Sequence, residues 1–458
     1  MIIIFPFFFG LQKGLSSEPT NLLLGVQQAE AIGIENSPEI KLVSSQRSIK
    51  ELLVKESWRT YFPTASVSWF RNGNTTENEA DARSQRLALN LDQVVFDGGR
   101  RSLALQVALS DLNLSKYELT IAINQLKFKI RSGFYKILSS KAQIDILDKS
   151  IERQADQLKF AKKEQSLGDS TELAVLQIEN RLNEITLQRN NAAIAYRNEM
   201  EEFKILLRLP SDCKLSLEGD ILEGIVYSYK DLPEEDLIRI ALSSRVEIDR
   251  AKAKEIQTAS EKEIAESYYI PTFSVGGFYA GSGDRYDPRQ REYGLNFKVN
   301  MLFGPNSIQD TSNYISRYDD TNRSLTSSTT ANIYDQLQYK RNLVQTAIAH
   351  TQAKVTRRQL DDILKIEVIK SHSTLTSSYE NMKLADENVK IFDKRLSIKI
   401  LQTKLGDARR IDLAETEIFF LQAKTAQVTA RVQYMTSIAQ LELSLGANLD
   451  SLKLWEIK

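Results

Sequence analysis

Hydrophobic positions along this chain follow two periods. Between Gly99 and Leu167 they recur every seven residues: Ile123, Ile130, Ile137, Ile144, Ile151 and Leu158 share one heptad position, and Leu126 and Leu147 lie three residues further on. A seven-residue repeat kept up over that length winds helices into a left-handed coiled coil. The other positions of that second series, Gly133, Ser140, Gln154 and Ala161, are small or polar, so the seam is only partly apolar. No proline interrupts the segment; at ~1.5 Å per residue an unbroken helix would reach roughly 100 Å, about three times a bilayer core of ~30 Å. Elsewhere the period is two. Ala65, Val67 and Trp69, then Leu87, Leu89 and Leu91, and most clearly Tyr293, Leu295, Phe297, Val299 and Met301 alternate with other residues, the last series with Gly294, Asn296, Lys298 and Asn300. This pattern predicts strands at about 62–72, 85–96, 270–281 and 291–303. Alternation over nine or ten residues fits a transmembrane β-strand with one face in lipid, and equally a half-buried strand over a soluble core.

The chain also resembles itself. Pro63-Thr64-Ala65-Ser66-Val67 recurs as Pro271-Thr272-Phe273-Ser274-Val275, 208 positions later. Pro38-Glu39-Ile40 and Val246-Glu247-Ile248 share that offset. Leu167-Gly168-Asp169 returns as Leu405-Gly406-Asp407, and Val368, Leu375, Met382, Val389 and Leu396 follow Ile130 to Leu158 at the same spacing of 238. Two diverged copies of one unit are expected: 18–209 and 237–458, joined by a linker at 210–236 where Pro210, Gly219, Gly224 and Pro233 break the helical pattern. Each copy reads helix, strand pair, very long helix, shorter helix. The long-helix hairpins are placed at 99–208 and 340–446, turning at Gly168 and Gly406, where glycine supplies a left-handed C-cap. The second copy carries about 32 extra residues within 304–339, rich in Ser, Thr, Asn and Asp, expected as a loop, a plug-like insert or an extra helix.

Composition narrows the function classes. Sixty basic residues balance sixty acidic ones, which gives no electrostatic reason to expect nucleic acid as a partner. One cysteine, Cys213, excludes an internal disulfide, and His350 and His372 are off zinc-site spacing. No Gly-x-Ser-x-Gly, P-loop or HExxH motif occurs, so neither catalytic residues nor a cofactor or metal are expected. The apolar run Ile2–Phe9 is too short to span a bilayer and suits a signal peptide over residues 1–17, although no Lys or Arg precedes it and no Ala-x-Ala follows. The rival is a short apolar N-terminus that is kept.

Four strands cannot close a barrel, and an open sheet edge is not tolerated in lipid. If these strands span a membrane, several chains must share one barrel, and three chains would give twelve strands. The polar, glycine-bearing segments Arg71–Ser84 and Gly281–Arg291 suit exposed strand loops.

Phe62-Pro63 and Ile270-Pro271 ahead of the strand pairs, Phe96-Asp97-Gly98-Gly99-Arg100-Arg101 after the second strand, the Leu-Gly-Asp turns followed by Glu172-Leu173-Ala174 and Asp412-Leu413-Ala414, and Asn36-Ser37-Pro38-Glu39 together resemble the TolC-like outer-membrane efflux family, over nearly the whole chain from about Leu22 to Leu445. The resemblance implies a mainly α fold with membrane β: a homotrimer whose long coiled-coil helices build a periplasmic α-barrel, with a twelve-stranded β-barrel in the outer membrane, four strands per protomer. It implies a passive duct for efflux or type I secretion that serves a periplasmic adaptor protein and an inner-membrane transporter. Trp69, Leu89, Leu91, Tyr293, Leu295, Phe297 and Val299 are then expected to face outer-membrane lipid. The alternative is a periplasmic coiled-coil adaptor or scaffold without its own pore, which would account for the heptads but not for matched strand pairs.

In that family the hairpin tips close the periplasmic mouth. The corresponding residues here are Gly168 and Asp169 in one tip and Gly406, Asp407, Arg409 and Arg410 in the other. Asp412 and Glu415 stand six and nine residues past Gly406. The resemblance implies carboxylates ringing the entrance: i and i+3 share a helix face, so three chains would place six around one axis and favour cations. Acids early in a helix also simply complement its dipole. Arg409 and Arg410 either hold the closed state through ion pairs or are merely solvated.

Overall fold

The computed structural model describes residues 21–75, 77, 82–222, 227–229, 233–284, 290–318, 323–447 and 455–457. The expected signal peptide at 1–17 lies outside them. In chain order the elements are β1 (Asn21–Leu24), α1 (Val26–Asn36), α2 (Pro38–Arg59), β2 (Thr64–Asn74), β3 (Ala82–Phe96), α3 (Arg100–Leu167), α4 (Glu172–Leu207), β4 (Lys214–Leu217), β5 (Tyr227–Tyr229), α5 (Glu234–Ser244), α6 (Val246–Glu266), β6 (Thr272–Gly283), β7 (Gln290–Phe303), β8 (Asn306–Arg317), β9 (Arg323–Asn332), α7 (Tyr339–Leu405), α8 (Arg410–Leu445) and β10 (Trp455–Ile457). They divide into two compact units. One holds the chain up to Ile40, Ile123–Ala241 and Glu367 onward; the other holds Lys41–Ala122 and Leu242–Ile366.

The helices are long because nothing stops them: α3 runs 68 residues and α7 67, followed by α4 and α8 at 36 each. In the first unit the heptad positions form the core. Leu126, Ile130 and Ile137 are buried, and so are Val368, Leu375 and Met382, which pack with Tyr434, Leu441 and Leu445 of α8 and Leu237 of α5. Small residues of the seam admit large neighbours. A Cβ on Gly133 would sit 3.1 Å from the Phe203 ring of α4, and that ring meets Phe134 edge-on. Towards the turn the buried positions shift from the first heptad series to the second. Leu147, Gln154 and Ala161 are buried while Ile144, Ile151 and Leu158 are half-buried. The same unit contains two small sheets, parallel β1–β4 and antiparallel β5–β10. Arg131 of α3 is held between Glu30 of α1 and Glu442 of α8.

The second unit is built on one antiparallel sheet in the order β2-β3-β6-β7-β8-β9. It corrects the expected four strands to six. Asn306–Arg317 and Arg323–Asn332 of the insert, expected as loop, plug or helix, form the strands β8 and β9, which extend the sheet from the edge of β7. The segment lacks apolar alternation, which is why it reads as loop; its strand character comes from backbone pairing and from β-branched Thr and Ile. Helix α3 starts at Arg100 for a local reason. The Asp97 carboxylate accepts from the backbone N–H of Gly99 and Arg101 at 3.1 and 2.9 Å and from Arg101 Nε at 3.0 Å, capping the first turn. Gly98 just before it has φ +66°, and a Cβ there would meet Ile270 Cγ2 at 2.5 Å, so only glycine fits.

Candidate pore entrance and membrane-facing sheet

The sheet separates its two faces by register. Ala65, Val67 and Trp69 of β2 lie opposite Leu91, Leu89 and Leu87 of β3. Leu91, Leu89 and Leu87 lie opposite Gly277, Tyr279 and Gly281 of β6. Phe273, Val275, Gly277 and Tyr279 in turn lie opposite Val299, Phe297, Leu295 and Tyr293 of β7. Partners in a ladder share a face, so the predicted residues Trp69, Leu89, Leu91, Tyr293, Leu295, Phe297 and Val299 form one continuous apolar surface. It is uncovered: Trp69 is 60% exposed, Leu295 49% and Val67 72%. A single soluble chain rarely exposes an apolar patch of this size. The other face is mainly polar, with Phe70 and Phe278 among its residues. It carries Asn90, Asp92, Asn296 and Lys298, with Lys298 Nζ 3.5 Å from Asp92. It also carries an ion cluster that the alternation alone did not single out: Glu292, nearly buried, between Arg86 at 3.3 Å and Arg317 at 3.5 Å.

In the other unit, the two hairpin turns have the same construction. Gly168 and Gly406 take φ +85° and +84°, and the following amides of Asp169 and Asp407 donate to Glu164 O and Gln402 O, both at 2.9 Å. That six-to-one bond is the Schellman closure of a helix C-terminus. Asp169 and Asp407 are exposed on the turns. Thr171 caps α4, its hydroxyl accepting from Ala174 N at 3.3 Å.

The two arginines differ. Arg409 is 84% exposed and, among the described residues, pairs only with Asp412, at 3.5 Å. Arg410 crosses to α3: it pairs with Glu164, donates through Nη1 to Gln157 Oε1 at 3.4 Å, and stacks its guanidinium 4.9 Å over the Phe160 ring. Asp412 and Glu415 lie one turn apart on α8, Asp412 half-buried and Glu415 exposed. Glu415 borders a cavity of 470 Å³ between α4 and α8, together with Arg181 and Glu184. Just inside lies a buried polar layer. Glu417 accepts from Gln154 Nε2 at 2.8 Å and from Gln157 Nε2 at 3.5 Å, and Gln154 Nε2 also donates to Ala414 O at 3.2 Å. Burial pushes the Glu417 carboxyl up to about 7, against the opposing pull of Arg153 and Gln157. Glu164, Gln157 and Glu417 were not among the predicted entrance residues. The one signal was Gln154, a polar residue at a heptad core position.

The remaining candidates are apart from these sites. His350 Nδ1 is 3.4 Å from Thr258 Oγ1, and His372 Nδ1 is 3.7 Å from Glu234. Among the described residues, no helix is long and apolar enough to cross a membrane, and no group of three or more His, Cys, Asp or Glu could hold a metal ion.

No protein-family model and no curated protein matches the chain. Solved structures do. The outer-membrane channel OprN matches with a TM-score of 0.74 at 15% identity, over 92% of this chain and 90% of that one. The CmeC outer-membrane channel of Campylobacter jejuni matches at 0.74 and 14%, over 93% and 88%. The outer-membrane protein VceC of Vibrio cholerae matches at 0.76 and 12%, over 92% and 96%. The chain therefore has, over nearly its whole length, the fold of these outer-membrane proteins.

Proposed function

We propose that this chain is one of three copies of an outer-membrane exit duct for efflux or type I secretion, a passive conduit and not an enzyme. In this reading it is the product of an internal two-fold repeat. The four strands β2, β3, β6 and β7 of each copy supply a twelve-stranded β-barrel in outer-membrane lipid. The long helices of the three copies form a periplasmic α-barrel, whose partners are a periplasmic adaptor protein and an inner-membrane transporter. The observation that carries the reading is the uncovered apolar face across β2, β3, β6 and β7, backed by a polar face. That arrangement suits lipid on one side and a water-filled pore on the other, and an open sheet in lipid must be closed by further copies. A coiled-coil scaffold gives no reason for that face. The likeness in fold to OprN and CmeC, both described as outer-membrane channels, supports the same reading.

The test is extraction followed by conductance. The protein is expected to resist a carbonate wash, to dissolve only in detergent, to run at three times the protomer size, and to form ion-conducting pores in planar bilayers. Recovery as a water-soluble monomer would end the proposal. Asp412 and Glu415 are the candidates for an acidic ring at the entrance. Replacing both with alanine is expected to lower the cation-to-anion permeability ratio about threefold or more, because a ring of carboxylates favours cations. An unchanged ratio would remove the ring and leave the duct.

A further inference from the structure

The hairpin β8–β9 differs in kind from the four strands before it. The apolar face of β7 continues by register from Tyr293, Leu295, Phe297 and Val299 to Ser316, Tyr314, Ser312 and Asp310 of β8. From there it passes to Arg323, Leu325, Ser327 and Thr329 of β9. The middle of that face is polar and bonded to itself. Thr329 Oγ1 donates to Asp310 at 2.6 Å, and the Ser312 and Ser327 hydroxyls are 3.2 Å apart. The opposite face is polar too, with Gln309, Thr311, Asn313, Ser328 and Thr330. A strand in a barrel wall needs apolar side chains on its lipid side. This hairpin offers only Ile308, Tyr314, Leu325 and Ala331 on that side, parted by the polar band of Asp310, Ser312, Ser327 and Thr329, and only Ile315 on the other, so both faces are mostly polar.

Three copies could close their barrel in two ways. If β9 of one copy met β2 of the next, the wall would have eighteen strands, and polar stripes would cut its apolar belt three times. If β7 met β2, the wall would have twelve strands, and Val67 and Trp69 would continue the belt of Leu295 and Phe297 without a break. Belt continuity decides for the second. In the single chain, however, β8 covers the edge of β7 through twelve paired positions, Glu292–Arg317 to Phe303–Asn306. An unpaired edge in water invites promiscuous pairing.

We propose, on the trimeric reading above, that the outer edge of β7 is the docking edge for β2 of a second copy, and that β8–β9 is a removable cover which guards this edge in the free chain and moves into water on assembly. The base of the hairpin is built for that. Gly304, at φ +57° with nothing near its Cβ position, supplies a pivot between β7 and β8. Tyr334, at φ +59°, ends the other arm. Gln336 N donates to Pro305 O and Tyr334 N to Asn306 Oδ1, both at 2.9 Å, so the base is held without help from β7.

The test locks the cover. Asn300 and Gln309 are register partners, both polar and exposed. In a Cys213→Ser background, Asn300→Cys with Gln309→Cys would tie β7 to β8 when oxidised. The oxidised protein is expected to yield less than a tenth of the trimer formed after reduction. Equal trimer yields would overturn the proposal. A second variant replaces residues 306–332 with a short linker. It is expected to form trimers whose pore conducts at least as well as the parent's. Because barrel diameter grows roughly linearly with strand number, a roughly twofold loss of conductance would place the hairpin in the wall and reject the cover. If the reduced, unlocked protein forms no trimer, the trimeric duct itself fails, which is a separate result.

Discussion

Replacing Arg410 with alanine is expected to open the duct: single-channel conductance should rise several-fold, and the closed state should become rare. Arg410 is the one tip residue of α8 that reaches α3, where it pairs with Glu164, donates to Gln157 and lies over Phe160. Charge-assisted hydrogen bonds of this kind contribute about 1–2 kcal/mol when partly exposed, as both partners are here. Three copies opening together would add these contributions, so the closed-to-open ratio should fall on the order of 100-fold or more. Arg410→Lys should fall between, because an ammonium keeps one charge but loses the fork that serves two acceptors. Arg409→Ala is the control. Its side chain is 84% exposed and its ion pair is with Asp412 on its own helix, so conductance should stay at the parent level. If Arg410→Ala conducts like the parent, this bridge is not what holds the entrance.

The helices were legible because their periodicity records burial, and four of the strands because their apolar and polar residues alternate between two faces. The expected strand at 291–303 and the observed β7 at Gln290–Phe303 differ by one residue, since Tyr293 to Met301 alternates without interruption. Gly168 and Gly406 were legible because a left-handed C-cap leaves little choice of residue. The hairpin β8–β9 was not, because its few apolar residues, Ile308, Tyr314, Ile315 and Leu325, set no alternating pattern. Its pairing is written in backbone hydrogen bonds that any polar sequence can make. The entrance contacts were hidden for a different reason. Arg410 and Glu164 are 246 positions apart, and which of many helix-surface carboxylates an arginine meets depends on how the hairpins pack. Sequence offered Arg409 and Arg410 as equals, and their packing separates them. Asp412 and Glu415 were placed on one stretch of α8 by spacing alone. Whether they ring a pore is a property of the proposed assembly, which no single chain contains.

Glu417→Gln is expected to stabilise the protein at pH 8 by about 3 kcal/mol and to have almost no effect at pH 4. Glu417 is 2% exposed, and burial raises its carboxyl to about 7 from an ordinary value of 4.5. Between those values the folded protein holds a proton that the unfolded chain has already released. The slope of stability against pH is therefore negative in that window. The favourable contribution is intact below pH 4.5, is lost progressively as pH rises towards 7, and stays lost above it. At 1.36 kcal/mol per unit the full loss is about 3 kcal/mol. A glutamine cannot ionise, and its one carbonyl can keep the shorter bond, from Gln154, so the variant's stability should be flat across the same range. Thermal unfolding of the detergent-solubilised protein from pH 4 to 8 measures both curves. The opposing effect is the attraction of Arg153, which pulls the carboxyl down. If ionised Glu417 and Arg153 formed a net stabilising pair, Glu417→Gln would weaken the protein at pH 8 instead. The geometry favours desolvation: Arg153 directs its guanidinium over the Phe420 ring, 5.6 Å away, and its Nε has no hydrogen-bond partner. A buried carboxylate with two amide donors and a cation turned towards a ring remains short of compensation, so its neutral form should win up to about neutral pH.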